Sequence, residues 1–268
     1  MLLAGGLVTL VLLAFGTFNL VTIVAHDEST STVAFPSSIR HLHLALGGGD
    51  VTLIGSASAE RDGITGNRTI TRGLTSPTYG ERVDGDTLTI ESSCAAVFNW
   101  CTIAYSLTVP PDVAITTDAG SGDVTIRGVV GDVSIDGGSG DVQADDVATF
   151  AAHTGSGDIT VTGASGPVVL TAGSGEIYAG DLRGPTADVE TRSGSILLAF
   201  TADPMRVEAR ASSGDVTVIL PNDDAAYRIA TATSSGTERV AAKQDPAGER
   251  RVSVTTSSGD LVVTQNTR

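Results

Sequence analysis

Two histidines, a recurring aspartate and two cysteines are the side chains whose types and spacing could do chemistry in this chain. His41-x-His43 places two imidazoles on one face of a strand, a spacing found in some zinc sites. No third ligand stands near them, so surface histidines are the expectation and no metal ligand is assigned. Asp123, Asp132, Asp141, Asp158 and Asp215 each follow glycine, which is close to the turn pattern of calcium-binding β-rolls. Those turns read G-G-x-G-x-D, whereas here Glu176 and Ser195 interrupt the column. Capping of the local backbone at a corner is therefore the expected role, with weak calcium binding by stacked Asp123, Asp141 and Asp158 as the alternative. Asp136, Asp145, Asp146 and Arg127 supply the carboxylates and cation that polysaccharide cleavage requires, but they fall in turns without a histidine or aromatic subsite beside them. His153 is the only histidine of the repeats, and no G-x-S-x-G elbow occurs. No catalytic, cofactor-binding or metal-binding residue is assigned.

Cys94 and Cys101 bound a short tip. Between Thr87 and Val109, Leu88 and Ile90 put even positions inward, whereas Ile103, Tyr105, Leu107 and Val109 put odd positions inward. Both cysteines continue those rows. An antiparallel hairpin pairing 94 with 101 would also pair 90 with 105 and 88 with 107. A disulfide in an oxidising compartment is the expectation, with buried free thiols or metal and redox chemistry as the alternatives. Closing so short a loop stabilises by about 2 to 3 kcal/mol in the chain-entropy model. The tip carries Phe98 and Trp100, the only tryptophan of the chain. A constrained aromatic loop can present a contact surface, so both residues are candidate partner contacts. The same two rings also suit capping of an open solenoid end.

The elements that must position these groups follow from a repeat. Ser-Gly-Asp or a variant begins at Ser121, Ser139, Ser156, Ser174, Ser193, Ser213 and Ser258, with a degenerate copy at Ser235-Gly236-Thr237. Apart from the last gap, these serines lie 17 to 20 residues apart, which marks stacked structural repeats. A finer nine-residue step runs from Asp123-Val124-Thr125-Ile126 to Asp132-Val133-Ser134-Ile135 and Asp141-Val142-Gln143-Ala144. Each unit thus holds two short strands and two turns, with inward pairs such as Val124 and Ile126 or Val168 and Leu170. The expected fold is all-β, a solenoid like a parallel β-helix with two short strands per 17 to 20 residue coil. Helix is excluded by glycine every eight to ten residues.

Outside the regular units, Leu42, Leu44 and Leu46 alternate with His41, His43 and Ala45, and Gly47 to Leu53 is a looser copy of the repeat. Glu60 to Arg82 reads as a loop around an edge strand, Arg68 to Arg72, and Pro110-Pro111 ends the hairpin. After Pro221, Tyr227 to Thr233 and Arg251 to Thr256 read as strands and Glu238 to Glu249 as a polar loop. Ser258-Gly259-Asp260-Leu261 is expected to close the array.

Of the 268 residues 41% are apolar, 4% aromatic and 32 are glycine, which suits thin stacked sheets. A net charge of −15 argues against nucleic acid, whose phosphates need clustered Lys and Arg. Leu2 to Ala25 contains no charged side chain, and at ~1.5 Å per residue it covers a ~30 Å hydrocarbon core. Residues 1–26 are therefore read as one N-terminal transmembrane helix, 27–36 as linker and first strand, and 37–268 as the solenoid with less regular ends. The anchor makes the membrane a partner.

The run Asp86-Thr87-Leu88-Thr89-Ile90-Glu91-Ser92, then Leu107-Thr108-Val109-Pro110, the Ser-Gly-Asp-Val units, Val218-Ile219-Leu220-Pro221 and the final Thr256-Ser257-Ser258-Gly259-Asp260-Leu261 together resemble the toastrack family of bacterial adhesin-like β-solenoids. The resemblance covers residues 40 to 266 and implies a right-handed solenoid. It also implies a single-pass or cytoplasm-linked envelope protein in adhesion or envelope-stress signalling, with no catalytic residues to carry over. The Cys94 to Cys101 loop departs from the general family pattern. The resulting expectation is a non-catalytic scaffold or interaction domain at the cell membrane, its C-terminal part extracytoplasmic, with a protein or envelope polymer as partner. The alternative is a module that binds or cleaves wall polysaccharide.

Overall fold

The structure, a computed structural model, describes residues 27–73, 76–94, 101–221 and 225–266. The predicted membrane segment and the tip residues Phe98 and Trp100 lie outside them. Among the described residues no helix is long and apolar enough to cross a membrane. Their strands form two sheets of 12 and 11 strands, here A and B, which enclose one core.

The regular part alternates between the sheets. Strands Ala114–Ala119, Val133–Gly137, Phe150–Thr154, Val168–Ser174, Thr186–Ser193 and Arg206–Ser213 lie in sheet B. Each is followed by its partner in sheet A: Val124–Arg127, Val142–Asp145, Ile159–Thr162, Ile177–Leu182, Ile196–Phe200 and Val216–Leu220. All pair in parallel with the strand one coil away, Val142 beside Val124 and Ile159, Ala144 beside Ile126 and Val161. This register stacks identical inward positions into columns, and Val124, Ile126, Val142, Val168, Leu170 and Ile196 are all buried. A single coil is too thin to hide its own row; each buried Val, Ile or Leu contributes about 1.5 to 3 kcal/mol only once neighbours cover it.

The motif glycines are dictated by the same stacking. A Cβ on Gly140 would collide with the Gly122 carbonyl, and one on Gly157 with that of Gly140. Corner backbones touch along the whole column, so no side chain fits there.

The early chain is less regular. It comprises β1 (Asp27–Phe35), β2 (His41–Leu46), β3 (Val51–Gly55), α1 (Ala59–Asp62), β4 (Ile64–Arg72), β5 (Thr78–Asp84), β6 (Thr87–Ser93) and β7 (Thr102–Val109). Sheet A begins in the order β1, β4, β7, β3 and continues into Val124–Arg127; sheet B begins β5, β6, β2 and continues into Ala114–Ala119. Sheet A therefore overhangs sheet B by one strand, β1.

Several expectations are corrected. The alternation in β6 and β7 is as read, with Leu88, Ile90, Ile103, Tyr105 and Leu107 buried. The two strands, however, are not a hairpin: β6 pairs with β2 and β5 in sheet B, and β7 with β3 and β4 in sheet A. Burial rows look the same whether the partner lies alongside or across the core, so alternation could not separate the two arrangements. The polar stretch Asp27 to Thr32 is not a linker but part of β1, paired antiparallel with β4 along its length. With only Val33 buried, this edge strand lacks an apolar row to announce it. Glu60 to Arg82 is not a loop but holds α1, β4 and β5, and β4 is interior rather than an edge.

At the far end Glu238–Ala241 is a strand, and the last coil in sequence is not the last in space. Arg251–Ser258 and Leu261–Gln265 insert between the Arg206 coil and the terminal coil of Arg228–Ser235 and Glu238–Ala241. The degenerate copy closes the array. Its inward row is only partly apolar: Ile229 and Val240 pack against the core, while Thr231, Thr233 and, at the place of Leu261, Glu238 turn the rest polar, as a solvent-facing cap requires.

Candidate functional site

The corner aspartates are structural in a way their spacing did not reveal. Asp123 Oδ1 accepts the Asp141 N–H at 2.9 Å, Asp141 Oδ1 the Asp158 N–H at 2.9 Å, and Asp158 Oδ1 the Glu176 N–H at 2.8 Å. The ladder starts at Asp50, which accepts the Asp123 N–H at 3.1 Å, and resumes with Asp215 to Asp260 and Asp260 to Thr237, both 2.8 Å. Each carboxylate holds the next coil rather than its own turn, which corrects the local-cap expectation. The bond from Thr237 favours the charged form and holds the Asp260 carboxyl below the usual carboxylate range. A second tie was missed: the buried Thr of a T-x-S-G pattern. Thr191 and Thr256 Oγ1 donate to the carbonyls of Gly175 and Gly214, each at 3.1 Å, and Thr154 to Gly157 at 2.7 Å. The constant three-residue offset from threonine to glycine could have found it.

The predicted chemical residues do not converge. His43 stands 4.0 Å from Asp118, and Asp136 is beside His153 in register, on the outer face of sheet B. Asp145 is paired with Arg127 at 3.1 Å on sheet A, and Asp146 occupies a corner at φ 52°. Among the described residues no group of three or more His, Cys, Asp or Glu could hold a metal. Cys94 and Cys101 form a disulfide, Cα atoms 5.9 Å apart, which joins the end of β6 in sheet B to the start of β7 in sheet A.

Two features stand out instead. At the β1 end, Glu81 Oε1 accepts from Arg68 at 2.8 Å and from the Tyr105 hydroxyl at 2.9 Å, while the guanidinium lies 4.2 Å over the Tyr79 ring. Burial, reinforced by the Glu81 bond and charge, pushes the Tyr105 phenol above its ordinary range. This cluster plugs the core end.

The second feature lies on the outer face of sheet A, where Thr125, Gln143, Thr160, Tyr178, Leu197 and Thr217 form one register row. The corresponding row of sheet B reads Asp118, Asp136, His153, Thr171, Glu190 and Arg210. The first row is uncharged and the second largely charged. At Ile177–Leu182 three regularities fail together. The aspartate ladder stops, because Glu176 replaces Asp and Ser195 follows. The strand bulges between Ala179 and Leu182, with Asp181 at φ 52°. Gly180 is buried on the outer face, and a Cβ there would lie 2.6 Å from the Tyr178 hydroxyl and 3.0 Å from two ring carbons. The Tyr178 ring therefore lies across Gly180, with 45% of the residue exposed. Bulges commonly re-aim a side chain beside a site. Tyr178 is the one ring at an outward parity position among Phe150, Tyr178 and Phe200, and that signal was in the sequence.

Residues 39–264 match the family model described as Toastrack DUF4097. The chain belongs to the toastrack family. No curated protein matches the sequence. Solved structures share the fold: a candidate adhesin of Parabacteroides distasonis matches at TM-score 0.58 and 12% identity, over 88% of this chain and 97% of its own. A candidate lipid-binding protein of the same organism matches at 0.55 and 16%, over 88% and 96%. A candidate adhesin of Bacteroides fragilis matches at 0.50 and 16%, over 90% and 97%.

Proposed function

We propose that this toastrack domain is a non-catalytic, adhesin-like interaction module, held at the membrane by residues 1–26 and displayed outside the cytoplasm. The observation that carries the reading is the in-register stacking, which merges the outward side chains of successive coils into two long continuous faces. Surfaces of this kind suit extended partners. Two structural relatives named as candidate adhesins accord with it. The disulfide fits an oxidising exterior.

The full chain on bilayer-coated beads should retain bacterial cells or envelope fragments several-fold above protein-free beads, and equal retention counts against adhesion. Location is checked separately. On intact cells a membrane-impermeant maleimide should label Cys94 and Cys101 only after external reduction; labelling only after lysis would place the domain inside.

A further inference from the structure

We infer that the irregular coil at Glu176–Leu182 is a binding site for a neutral glycan, with the Tyr178 ring as the platform for one sugar. The inference rests on the adhesive reading above and supplies a ligand class for it. The hydroxyl end of the Tyr178 ring lies against Gly180, which holds the ring along the sheet while 45% of the residue is offered to solvent. A flat ring in that pose stacks on the apolar C–H face of a pyranose. The sugar's rim then needs hydrogen-bond partners around the ring. Thr160 sits beside Tyr178 and Thr162 beside Gly180 in register, both half-buried on the outer face, which supplies two hydroxyl-bearing side chains on the neighbouring strand.

Two carboxylates complete the rim. Glu176 is exposed two residues before the ring and Asp181 is exposed three residues after it, beyond the bulge. Among the described residues neither carries an ion pair or a side-chain hydrogen bond. In every other described coil of the ladder an Asp at the Glu176 position is engaged by the next coil, apart from Ser195 and the terminal Thr237. The extra methylene of Glu176 takes its carboxylate out of the ladder and leaves it available.

The spacing selects the ligand. At ~3.4 Å per residue the Cα of Glu176 is ~7 Å from that of Tyr178 on one side, and Asp181 stands on the other. One guanidinium or ammonium sitting over the ring is too small to meet both carboxylates, whereas the hydroxyl rim of a hexose reaches out to groups at that separation. A net charge of −15 disfavours anionic polymers.

The test uses the full chain in nanodiscs and saturation-transfer NMR on neutral tetrasaccharides, cellotetraose and the N-acetylglucosamine tetramer, with an arginine-rich peptide as competitor. Transfer to at least one tetrasaccharide is expected, undiminished by the peptide. Tyr178→Phe should keep affinity within about twofold, and Tyr178→Ala should lose at least tenfold. Gly180→Ala keeps the ring but pushes it off the sheet, and should weaken binding at least threefold. This variant guards against Tyr178→Ala acting through stability alone. The site is overturned if no tetrasaccharide shows transfer, if Tyr178→Ala binds like the parent, or if the peptide displaces the sugar. Bead retention that survives in Tyr178→Ala while transfer is lost upholds the glycan site and assigns adhesion to another surface; sugar transfer without any retention upholds the site and sinks the adhesive reading.

Discussion

At the β1 end, Arg68, Glu81 and Tyr105 meet across the gap between the sheets, with the two charged side chains only 15% and 19% exposed. Toward the other end the same three kinds of group recur in Arg250, Asp203 and Tyr227: the Tyr227 hydroxyl donates to Asp203 at 2.9 Å and Arg250 pairs with it at 3.3 Å. These lie along the stack, fastening successive coils, and Arg250 is 38% exposed. The terminal coil itself is closed by Glu238, which accepts from the Thr231 hydroxyl at 2.9 Å and the Thr233 N–H at 3.0 Å. One end is thus sealed by burying charge, the other by placing Thr231, Thr233 and Glu238 among the inward positions of the last coil. The first solution depends on every partner being present; the second tolerates loss because water can replace it.

Glu81→Gln should separate the two most sharply. It leaves the Arg68 guanidinium without its counter-charge and should cost about 3 kcal/mol, against about 1 to 2 for Asp203→Asn. Denaturant midpoints at constant slope measure both, and equal costs would erase the distinction. A smaller effect comes from pH. The folded Tyr105 phenol titrates above the unfolded value of about 10, so its stabilising contribution is complete below that pH and is lost as pH rises through the folded value. Stability should fall in that alkaline window, and Tyr105→Phe should flatten the fall; an unchanged slope would remove the phenol from the account. Least in energy is Glu238→Leu, expected to shift stability by under about 1 kcal/mol while making the terminal coil adhesive. Light scattering should then show end-to-end association, and a strictly monomeric variant would mean that the Glu238 cap is not what keeps coils from stacking.

Much of this architecture was readable because the repeat states it directly. The 17 to 20 residue step, the nine-residue half-step and the inward pairs correspond to the coils, and Gly47 to Leu53 proved to be a true member through Asp50. The ends were less legible. Whether β6 and β7 neighbour or face each other depends on which sheet edge is free when they fold, and no local property of Leu88 or Leu107 encodes that. Arg68 and Glu81 are 13 residues apart in strands of different sheets and look like ordinary surface charges. Tyr178 is hard to read for a different reason: it lies in the strand between two conspicuous Ser-Gly-Asp-type corners, where a single aromatic at an outward position is the only departure.

The reversed order of the final two coils has a bearing on how the chain is made. Residues 228–241 emerge first, yet their neighbours in the finished molecule are residues 251–265 rather than the coil synthesised just before them. Until those later residues exist, the outermost coil has no proper berth, and strands Arg206–Ser213 and Val216–Leu220 present bare edges. Domains assemble from the N-terminus as translation proceeds, and exposed strand edges are hazards for misassembly. A nascent or truncated chain that stops short of residue 251 is thereby left visibly unfinished, and only the arrival of the wedge lets the solenoid shut.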